Sequence, residues 1–521
     1  MKTKVTIIIL GAVLLFAGIA GAQQPLPLPA ATIPQFVEPL PLLEFEFINA
    51  TSIPDLGGVL TGLPPMGEHC VTPDPLGPNG CACVPDTIDP PCLLDANGNP
   101  IPDMVPTTPF PVNAEEFRSQ ILPSLAIWPA APLTCGLDTA SSVWGYISDP
   151  ALLGGIRQTY LGPLVIADSG VTASPVYGNN LPENGLVQQN LPIDQTLDWA
   201  DPDGAPCDIN STCLDPYTGP IPIATHLHGG EVAPAYDGVP DAWFTQDLDT
   251  ITVPDYTGPG YPGAQYEYPN NQQEGTIWFH DHALGITRLN VYAGLAGLMP
   301  IIDPDNPPLT TLPNIGDGFD IPLIIQDRTF DNNCEILYNL ASNPQPNPTV
   351  HPFWIPEFIG DTIVVNGKTW PFLNVEPRQY RLRFVNGSNA RFYELTIKSN
   401  DDPVTGALGT KLPFLAIATD DGYLMNAVST NMVVIGPGER YEVVVDFRGL
   451  LPGRLVTMFN SARTPYPGDA KPIKGLTDRV MQFKVVSMPV AAPASTNVAA
   501  GSPLRDPVDN PIHPIVTAHD P

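Results

Sequence analysis

Basic residues and histidines are scarce in this sequence. Its 521 residues include 22 Lys and Arg against 54 Asp and Glu, for a formal net charge of −32, and only eight are histidine. A surface this acidic repels phosphate backbones and anionic lipids, so we expect no nucleic-acid partner. The acidity is compatible with a saline or acidic habitat or with cationic substrates, and it does not choose among them.

Long apolar runs are missing after the first 22 residues. Two lysines near the start, an apolar run from Val5 to Ile19 and a small-residue cleavage site predict a secretory signal peptide over residues 1–22. An uncleaved anchor is the weaker alternative, because the run is short for a membrane span. We therefore expect a secreted or periplasmic protein that has no membrane attachment after cleavage.

The cysteines are few but even in number, and they follow an export signal, which predicts disulfides without giving their pairing. The close pair Cys81 and Cys83 could suggest a metal knuckle, but no second close pair completes a tetrahedral set. Residues 66–106 are predicted to form a Cys-rich inserted loop. The eight cysteines are Cys70, Cys81, Cys83, Cys92, Cys135, Cys207, Cys213 and Cys334.

Sustained helical periodicity is also absent. The 66 prolines and 45 glycines are spread among short apolar runs with no strict repeat, which excludes a collagen-like chain. Apolar and polar residues alternate at 380–386 and 441–447, as a half-buried strand requires, and Asn366-Gly367 is a hairpin turn signal. These patterns predict an all-β chain of two β-sandwich domains, at residues 36–305 and 318–487, followed by a linker over 488–521.

Four of the eight histidines fall into two His-x-His pairs, His226 with His228 and His280 with His282. In a strand, residues two apart point to the same face, so each pair presents parallel imidazoles to one metal ion or to two adjacent ones. A single pair is a weak signal, whereas two pairs in so histidine-poor a chain indicate a metal site. Imidazole suits copper, zinc, iron and nickel, so the residues alone do not name the metal.

The segments around these histidines resemble the first two copper motifs of multicopper oxidases. The first motif spans residues 225–244 and the second spans residues 276–294, and the nearest subgroup looks like the bacterial spore-coat laccases, with bilirubin oxidases and phenoxazinone synthases beside them. The resemblance covers roughly residues 35–487. Further similar segments are Phe36–Pro41, Asp327–Thr329, Val365–Pro371, Val375–Arg378, Tyr380–Arg383 and Gly438–Tyr441.

The resemblance implies cupredoxin-like Greek-key sandwiches and assigns roles to individual residues. His226 matches the type 2 copper ligand of the family, and His228, His280 and His282 match type 3 ligands. Asp237 matches an aspartate that helps the copper cluster with protons and charge, although it also reads as a turn residue before a glycine. Trp278 and Trp243, which flank the motifs, are expected to pack in the core.

The other two copper motifs of the family, His-Pro-x-His-x-His and His-Cys-His, do not occur in this sequence. In the family they belong to a third cupredoxin domain, which carries the type 1 copper that receives electrons from substrate. We therefore expect that domain three is missing, that half of the cluster ligands are present, and that a second chain or a downstream segment supplies the rest.

Three functions remain open from the sequence. The first is the N-terminal part of a laccase-like oxidase that couples oxidation of a phenol, tetrapyrrole or metal ion to reduction of dioxygen, and that is inactive without its third domain. The second is a catalytically inactive copper-binding or structural cupredoxin protein. The third is a structural zinc site at the same histidines.

Overall fold

The structure is a computed structural model that describes most of the chain beyond residue 25. The predicted signal peptide, the Cys-rich segment and six of the eight cysteines lie outside the described residues. Those residues are 26–41, 47–49, 109–149, 153–202, 204, 216–246, 256–303, 312–313, 318–338, 355, 357–400, 409–420, 422–468, 470–488 and 496–505.

Strands dominate the described chain. The first nine are β1 (Phe47–Asn49), β2 (Phe110–Ser119), β3 (Ser141–Ile147), β4 (Ile156–Arg157), β5 (Leu164–Asp168), β6 (Pro175–Asn179), β7 (Thr225–His228), β8 (Gly275–Asp281) and β9 (Ala296–Ile302). Thirteen more follow: β10 (Asp320–Arg328), β11 (Thr362–Val365), β12 (Lys368–Thr369), β13 (Phe372–Val375), β14 (Gln379–Asn386), β15 (Tyr393–Ser399), β16 (Lys411–Leu412), β17 (Phe414–Thr419), β18 (Gly422–Thr430), β19 (Val433–Ile435), β20 (Arg440–Asp446), β21 (Leu455–Asn460) and β22 (Arg479–Val485).

Helices are short and few in the same residues. The α-helices are α1 (Leu186–Asn190) and α2 (Thr287–Ala293), and single 3-10 turns lie at Ala30–Thr32, Leu133–Cys135 and Pro234–Tyr236. No helix within the described ranges is both long and apolar enough to cross a bilayer.

The strands form two pairs of sheets. The first nine strands make a five-stranded sheet in the order β1-β5-β9-β8-β7 and a four-stranded sheet in which β3, β4 and β6 pair with β2. The later strands make a seven-stranded sheet in the order β12-β11-β10-β14-β20-β17-β18 and a six-stranded sheet built on β13-β22-β21-β15-β16. The predicted all-β fold class is therefore confirmed. We call the two pairs of sheets the first and the second sandwich.

A continuous apolar core joins the two sandwiches, and it runs from Leu28 to Val485. A disulfide between Cys135 and Cys334 links the loop after β2 to the loop after β10, across 199 residues of sequence. The prediction of a disulfide is thus confirmed for this pair. The segment 496–505 lies along β18, where Pro503 bridges Asn426 and Leu504 is buried.

A buried ionic cluster lies where the two sandwiches meet. Arg381 and Arg383 of β14 are 2% and 1% exposed, so this strand is buried on both faces and not half-buried as the alternation predicts. Arg381 donates its Nε–H to Glu442 at 2.8 Å, and Arg383 donates to Asp320 at 2.8 Å and to Glu442 at 3.0 Å. Paired carboxylates and multiple hydrogen bonds offset the desolvation of these charges, which is how a polar strand face can be buried.

The ionic cluster also holds strand β8 of the first sandwich. The Thr276 hydroxyl donates to Glu442 Oε1 at 2.7 Å and accepts from Arg383 Nη1 at 3.2 Å. Glu274, just before β8, pairs with Arg381 at 3.4 Å. Since β8 carries His280, the second sandwich contributes to placing one of the predicted ligands.

The substitution Glu442→Gln is expected to lower the free energy of unfolding above about pH 4.5. It should also make that free energy less dependent on pH between about 2 and 4.5. Burial raises the pKa of Glu442, but Arg381 and Arg383 outweigh burial and lower it to about 2, against 4.5 for a free glutamate. The charged carboxylate therefore contributes roughly 3 kcal/mol above pH 4.5, and this contribution is lost as the pH falls from about 4.5 towards 2.

Chemical denaturation between pH 2 and pH 7 measures this effect. Asp446→Asn on the same strand is the matched control, because its pair with Arg448 is largely exposed and should contribute about 1 kcal/mol or less. Equal losses for the two variants at pH 7 would contradict the assigned role of Glu442.

Candidate metal centre

Two adjacent antiparallel strands, β7 and β8, and the residue that follows β8, His282, bring the four predicted ligands together. On β7, Thr225 and Leu227 are buried in the core while His226 and His228 lie on the other face, as period-two alternation requires. Strand β8 pairs with β7 in a register that places His226 opposite His280 and His228 opposite Trp278. Cross-strand neighbours are close enough for side chains to share a ligand.

Three of the histidines form a compact donor set. One ring nitrogen from each of His226, His228 and His280 lies within 4.8 Å of the other two. His228 Nδ1 is 3.1 Å from His280 Nε2. The centroid of the His226 ring lies 5.4 Å from that of the His280 ring. A single metal ion, or two adjacent ions, can be reached from these nitrogens.

Backbone carbonyls fix which nitrogens of two histidines are available. His226 Nδ1 lies 2.5 Å from the carbonyl of Asp237, and His280 Nδ1 lies 2.7 Å from the carbonyl of Asp281. A neutral imidazole that donates from Nδ1 keeps the lone pair of Nε2 for a metal. Such carbonyl partners are typical of the groups that orient metal-binding histidines.

Burial favours the neutral form of three of the imidazoles, those of His226, His228 and His280. It lowers the pKa of His228 to about 4, and the charge of Arg440 adds to the effect. Burial also lowers the pKa of His280, which is 6% exposed, and that of His226, where the carbonyl of Asp237 opposes it. The neutral form of histidine is the form that binds metal, so three of the rings are ready to ligate at neutral pH.

His282 lies beside the other three but outside their compact donor set. Its ring centroid is 5.2 Å from that of His226 and 5.9 Å from that of His280. In the described structure its Nδ1 is buried and no hydrogen-bond partner reaches it. A buried polar nitrogen without a partner is costly unless something else satisfies it, so His282 Nδ1 fits the ligand set of a metal site.

The two aspartates near the histidines have different places. Asp281 faces away from the cluster, as its position between two ligands predicts, and its carboxylate accepts from Ala224 N at 2.9 Å and Asn290 Nδ2 at 3.0 Å. Asp237 lies against the cluster, with Oδ1 3.4 Å from His226 Nδ1 and its side chain 37% exposed. Asp281 thus fixes the strand backbone, while Asp237 is the acid in contact with a predicted ligand.

Trp278 packs in the core as expected, but it packs against the site. Its ring stacks on His228 at 5.2 Å between centroids and lies 4.3 Å from the ring of His280. The aromatic face restricts the rotamers of both imidazoles. The pairing of β7 with β8 explains this contact, which the sequence motif alone did not reveal.

The second sandwich also borders the histidines, at a turn that the sequence marked only as similar to the family. A Cβ on Gly438 would lie 2.7 Å from His228 Cε1, so this turn approaches the ring closely. Arg440, two residues later, is 4% exposed and packs against Gly229, where a Cβ would lie 2.3 Å from its Nη2. The site is therefore built by both sandwiches.

The segment that carries both histidine pairs is recognisable on its own. Residues 221–306 match the sequence model of the family described as multicopper oxidase. This chain contains a multicopper oxidase domain. The resemblance stated from the motifs is thereby confirmed, and copper is the metal that the family implies for the histidine cluster.

Two sequence relatives agree with this match, and one solved structure is similar to the chain. The chain is 38% identical over 328 residues to Multicopper oxidase LPR1 of Arabidopsis thaliana, covering 63% of this chain and 49% of that protein. It is 37% identical over 341 residues to a laccase of Bacillus subtilis, covering 64% and 58%. The crystal structure of McoA multicopper oxidase from Aquifex aeolicus is 23% identical, with a TM-score of 0.49 over 76% of this chain and 65% of that one.

The chain spans about half the length of the curated relatives it matches. The family is thus shown for the part that carries the histidines. Because the match leaves about half of each of these relatives uncovered, we treat the activity, substrates and partners of the whole enzyme as proposals for this chain.

Proposed function

We propose that this chain is the copper-binding N-terminal part of a secreted, laccase-like multicopper oxidase. The observation that carries the proposal is the cluster of four histidines on and directly after two adjacent strands, of which three offer nitrogens within 4.8 Å of one another. In this proposal the oxidase couples one-electron oxidation of a phenolic, tetrapyrrole or metal-ion substrate to the reduction of dioxygen to water. Copper supplies the one-electron redox chemistry that imidazoles lack.

We further propose the ligand roles that the family motif implies. His226 is the type 2 ligand, and His228, His280 and His282 are type 3 ligands. The carbonyl contacts at His226 and His280 support a ligand role for both rings, because they leave Nε2 of each for a metal. The unpartnered Nδ1 of His282 supports a ligand role for the fourth histidine.

The type 1 ligands come from elsewhere in this proposal. This sequence contains no His-Cys-His segment, and a blue copper site requires a cysteine together with two histidines. The isolated chain is therefore expected to bind copper without turnover, and a second chain or a downstream segment that carries a third cupredoxin domain completes the enzyme.

Copper loading followed by oxygen-uptake measurements tests this function. The purified chain should retain copper after desalting, and it should consume dioxygen with a phenol only when a polypeptide carrying the two missing motifs is added. Tight zinc binding with no retention of copper would instead favour a structural zinc site. Copper retention in a native, fully assembled protein that shows no turnover would favour the inactive cupredoxin alternative.

The substitution Asp237→Asn is expected to leave copper binding intact and to lower turnover in the assembled oxidase. The contact that orients His226 is the backbone carbonyl of Asp237, which the substitution keeps, whereas the carboxylate 3.4 Å away is the group that can hold a proton. General acid–base groups contribute about 100-fold or more to rate, so we expect a loss of that order.

Metal analysis and steady-state rates of the same preparation measure the two effects separately. Asp241→Asn is the control, because Asp241 lies in the same loop outside the histidine contacts that the structure shows. If Asp237→Asn lost copper as well as activity, its carboxylate would have a structural role instead.

A further inference from the structure

Arg440 occupies a particular place in the second sandwich. It begins β20, its side chain is 4% exposed, and its guanidinium extends towards the ends of β7 and β8 in the first sandwich. No ligand motif includes this residue, and the proposed function gives it no role. A buried arginine needs several acceptors, so the groups that it contacts indicate what it holds in place.

The first contact of Arg440 is with the strand that carries His280. Its Nε–H donates to the carbonyl of Thr276 at 3.1 Å, across 164 residues of sequence. Thr276, Trp278 and His280 lie on one face of β8 by alternation, so a fixed Thr276 fixes the position of the strand beneath the ligand. The hydroxyl of Thr276 is held by Glu442 on the same side.

The second contact is with the turn that follows His228. Gly229 has a φ of +88° and lies against the guanidinium, so closely that a Cβ there would stand 2.3 Å from Nη2. Nη1 of Arg440 also donates to the carbonyl of Gly438 at 3.3 Å, which holds the Gly438 turn against the ring of His228. The guanidinium therefore contacts both the residue that follows His228, Gly229, and the Gly438 turn that packs against the His228 ring.

Asp420 holds the guanidinium from the far side. Its Oδ1 lies 3.0 Å from Arg440 Nη1, and its backbone carbonyl accepts from Nη2 at 2.8 Å. Asp420 Oδ1 also accepts the backbone N–H of Arg440 at 2.7 Å. The planar fork of an arginine can satisfy acceptors in several fixed directions at once, which the single ammonium of a lysine cannot do.

We propose that Arg440 is a positioning residue of the metal site, which fixes the turn after His228 and the strand of His280 from the second sandwich. The proposal rests on metal binding by these histidines. It implies that the first sandwich alone does not hold the ligands in register, and that copper affinity depends on docking of the second sandwich. Residues that orient ligands in this way typically contribute about 10- to 100-fold to metal affinity.

The test compares Arg440→Lys with Arg391→Lys in the full chain. Lysine keeps the positive charge near the metal, so any change in affinity reports the lost fork and not the lost charge. Arg391 is the matched control, because it is 3% exposed and likewise pairs with one carboxylate, Asp327 at 2.8 Å, and with a backbone carbonyl, that of Gly360. Neither Asp327 nor Gly360 lies on β7 or β8, the strands that carry the ligand histidines.

Three quantities are measured for each variant: the unfolding midpoint without metal, the dissociation constant for Cu²⁺, and the electron paramagnetic resonance spectrum at one equivalent of Cu²⁺. We expect similar losses of apoprotein stability in both variants. Only Arg440→Lys should weaken Cu²⁺ binding, by about 10-fold or more, and change the spectrum. Equal changes of Cu²⁺ affinity in the two variants would overturn the proposal. An Arg440→Lys variant with wild-type Cu²⁺ affinity and spectrum would overturn it as well.

A milder variant covers the case in which Arg440→Lys does not fold. Asp420→Asn keeps the shape of a side chain that is 39% exposed and weakens only one side of the guanidinium contact. We expect Asp420→Asn to bind Cu²⁺ about three-fold more weakly, because only part of the orienting contact is lost. An unchanged Cu²⁺ affinity in this variant would overturn the proposal. Failure of the wild-type chain to bind Cu²⁺ at all would instead overturn the proposed function.

Discussion

The substitution His280→Gln is expected to weaken Cu²⁺ binding by roughly 100-fold or more, beyond the range expected for residues that only orient a ligand. His280 is the most buried of the three compact donors, and its Nε2 lies 3.1 Å from a nitrogen of His228. Glutamine fills much of the same volume but offers no imidazole nitrogen. Isothermal titration of the metal-free protein with Cu²⁺ measures the change directly.

The control for this titration is His351→Gln, a histidine of the same chain outside both His-x-His pairs. It should leave the dissociation constant unchanged within about two-fold, a difference well below the 10-fold effect of an orienting residue. A wild-type affinity in His280→Gln would mean that copper binds elsewhere, for instance on the acidic surface. The unfolding midpoint of both metal-free variants should be compared, so that a loss of fold is not taken for a loss of a ligand.

The substitution Gly229→Ala is expected to be far more damaging than Gly453→Ala, although both glycines have a φ of +88°. An alanine in this left-handed region costs roughly 1 kcal/mol at either position. At Gly453 a Cβ meets nothing within 4 Å, whereas at Gly229 it would meet Arg440 at 2.3 Å and Ile277 at 3.2 Å. Overpacking of this kind adds roughly 2 kcal/mol.

Chemical unfolding of the two metal-free variants gives the difference in stability. Cu²⁺ titration should then show weaker binding for Gly229→Ala alone, because displacement of Arg440 releases the turn after His228. If both variants lost the same small amount of stability and bound copper equally well, the close packing of Gly229 on the guanidinium would be refuted.

Local patterns were sufficient to predict the all-β class and the ligand candidates. Alternation of apolar and polar residues identified β14 and β20, and the i, i+2 spacing placed His226 and His228 on one face of β7. Both signals depend on neighbours in sequence, and strand geometry converts them directly into a face. The same rule explains why Asp281, between His280 and His282, faces away from the cluster.

Contacts between distant segments were not predictable in this way. The register of β7 on β8 pairs residues about 50 positions apart, and it decides that Trp278 stacks on His228. The burial of Arg381 and Arg383 depends on carboxylates from three other segments, so alternation alone predicted a half-buried strand where both faces are buried. Arg440 was visible only as part of a family-like segment, because its role requires the docking of the two sandwiches.

The most direct test of the account is pulsed electron paramagnetic resonance of the full chain with one equivalent of Cu²⁺. Electron spin echo envelope modulation detects the remote nitrogen of a copper-bound imidazole, and coordination by this cluster predicts modulation from more than one histidine. His280→Gln should reduce that modulation. A Cu²⁺ signal without imidazole modulation, or one identical in wild type and His280→Gln, would contradict copper binding by these histidines.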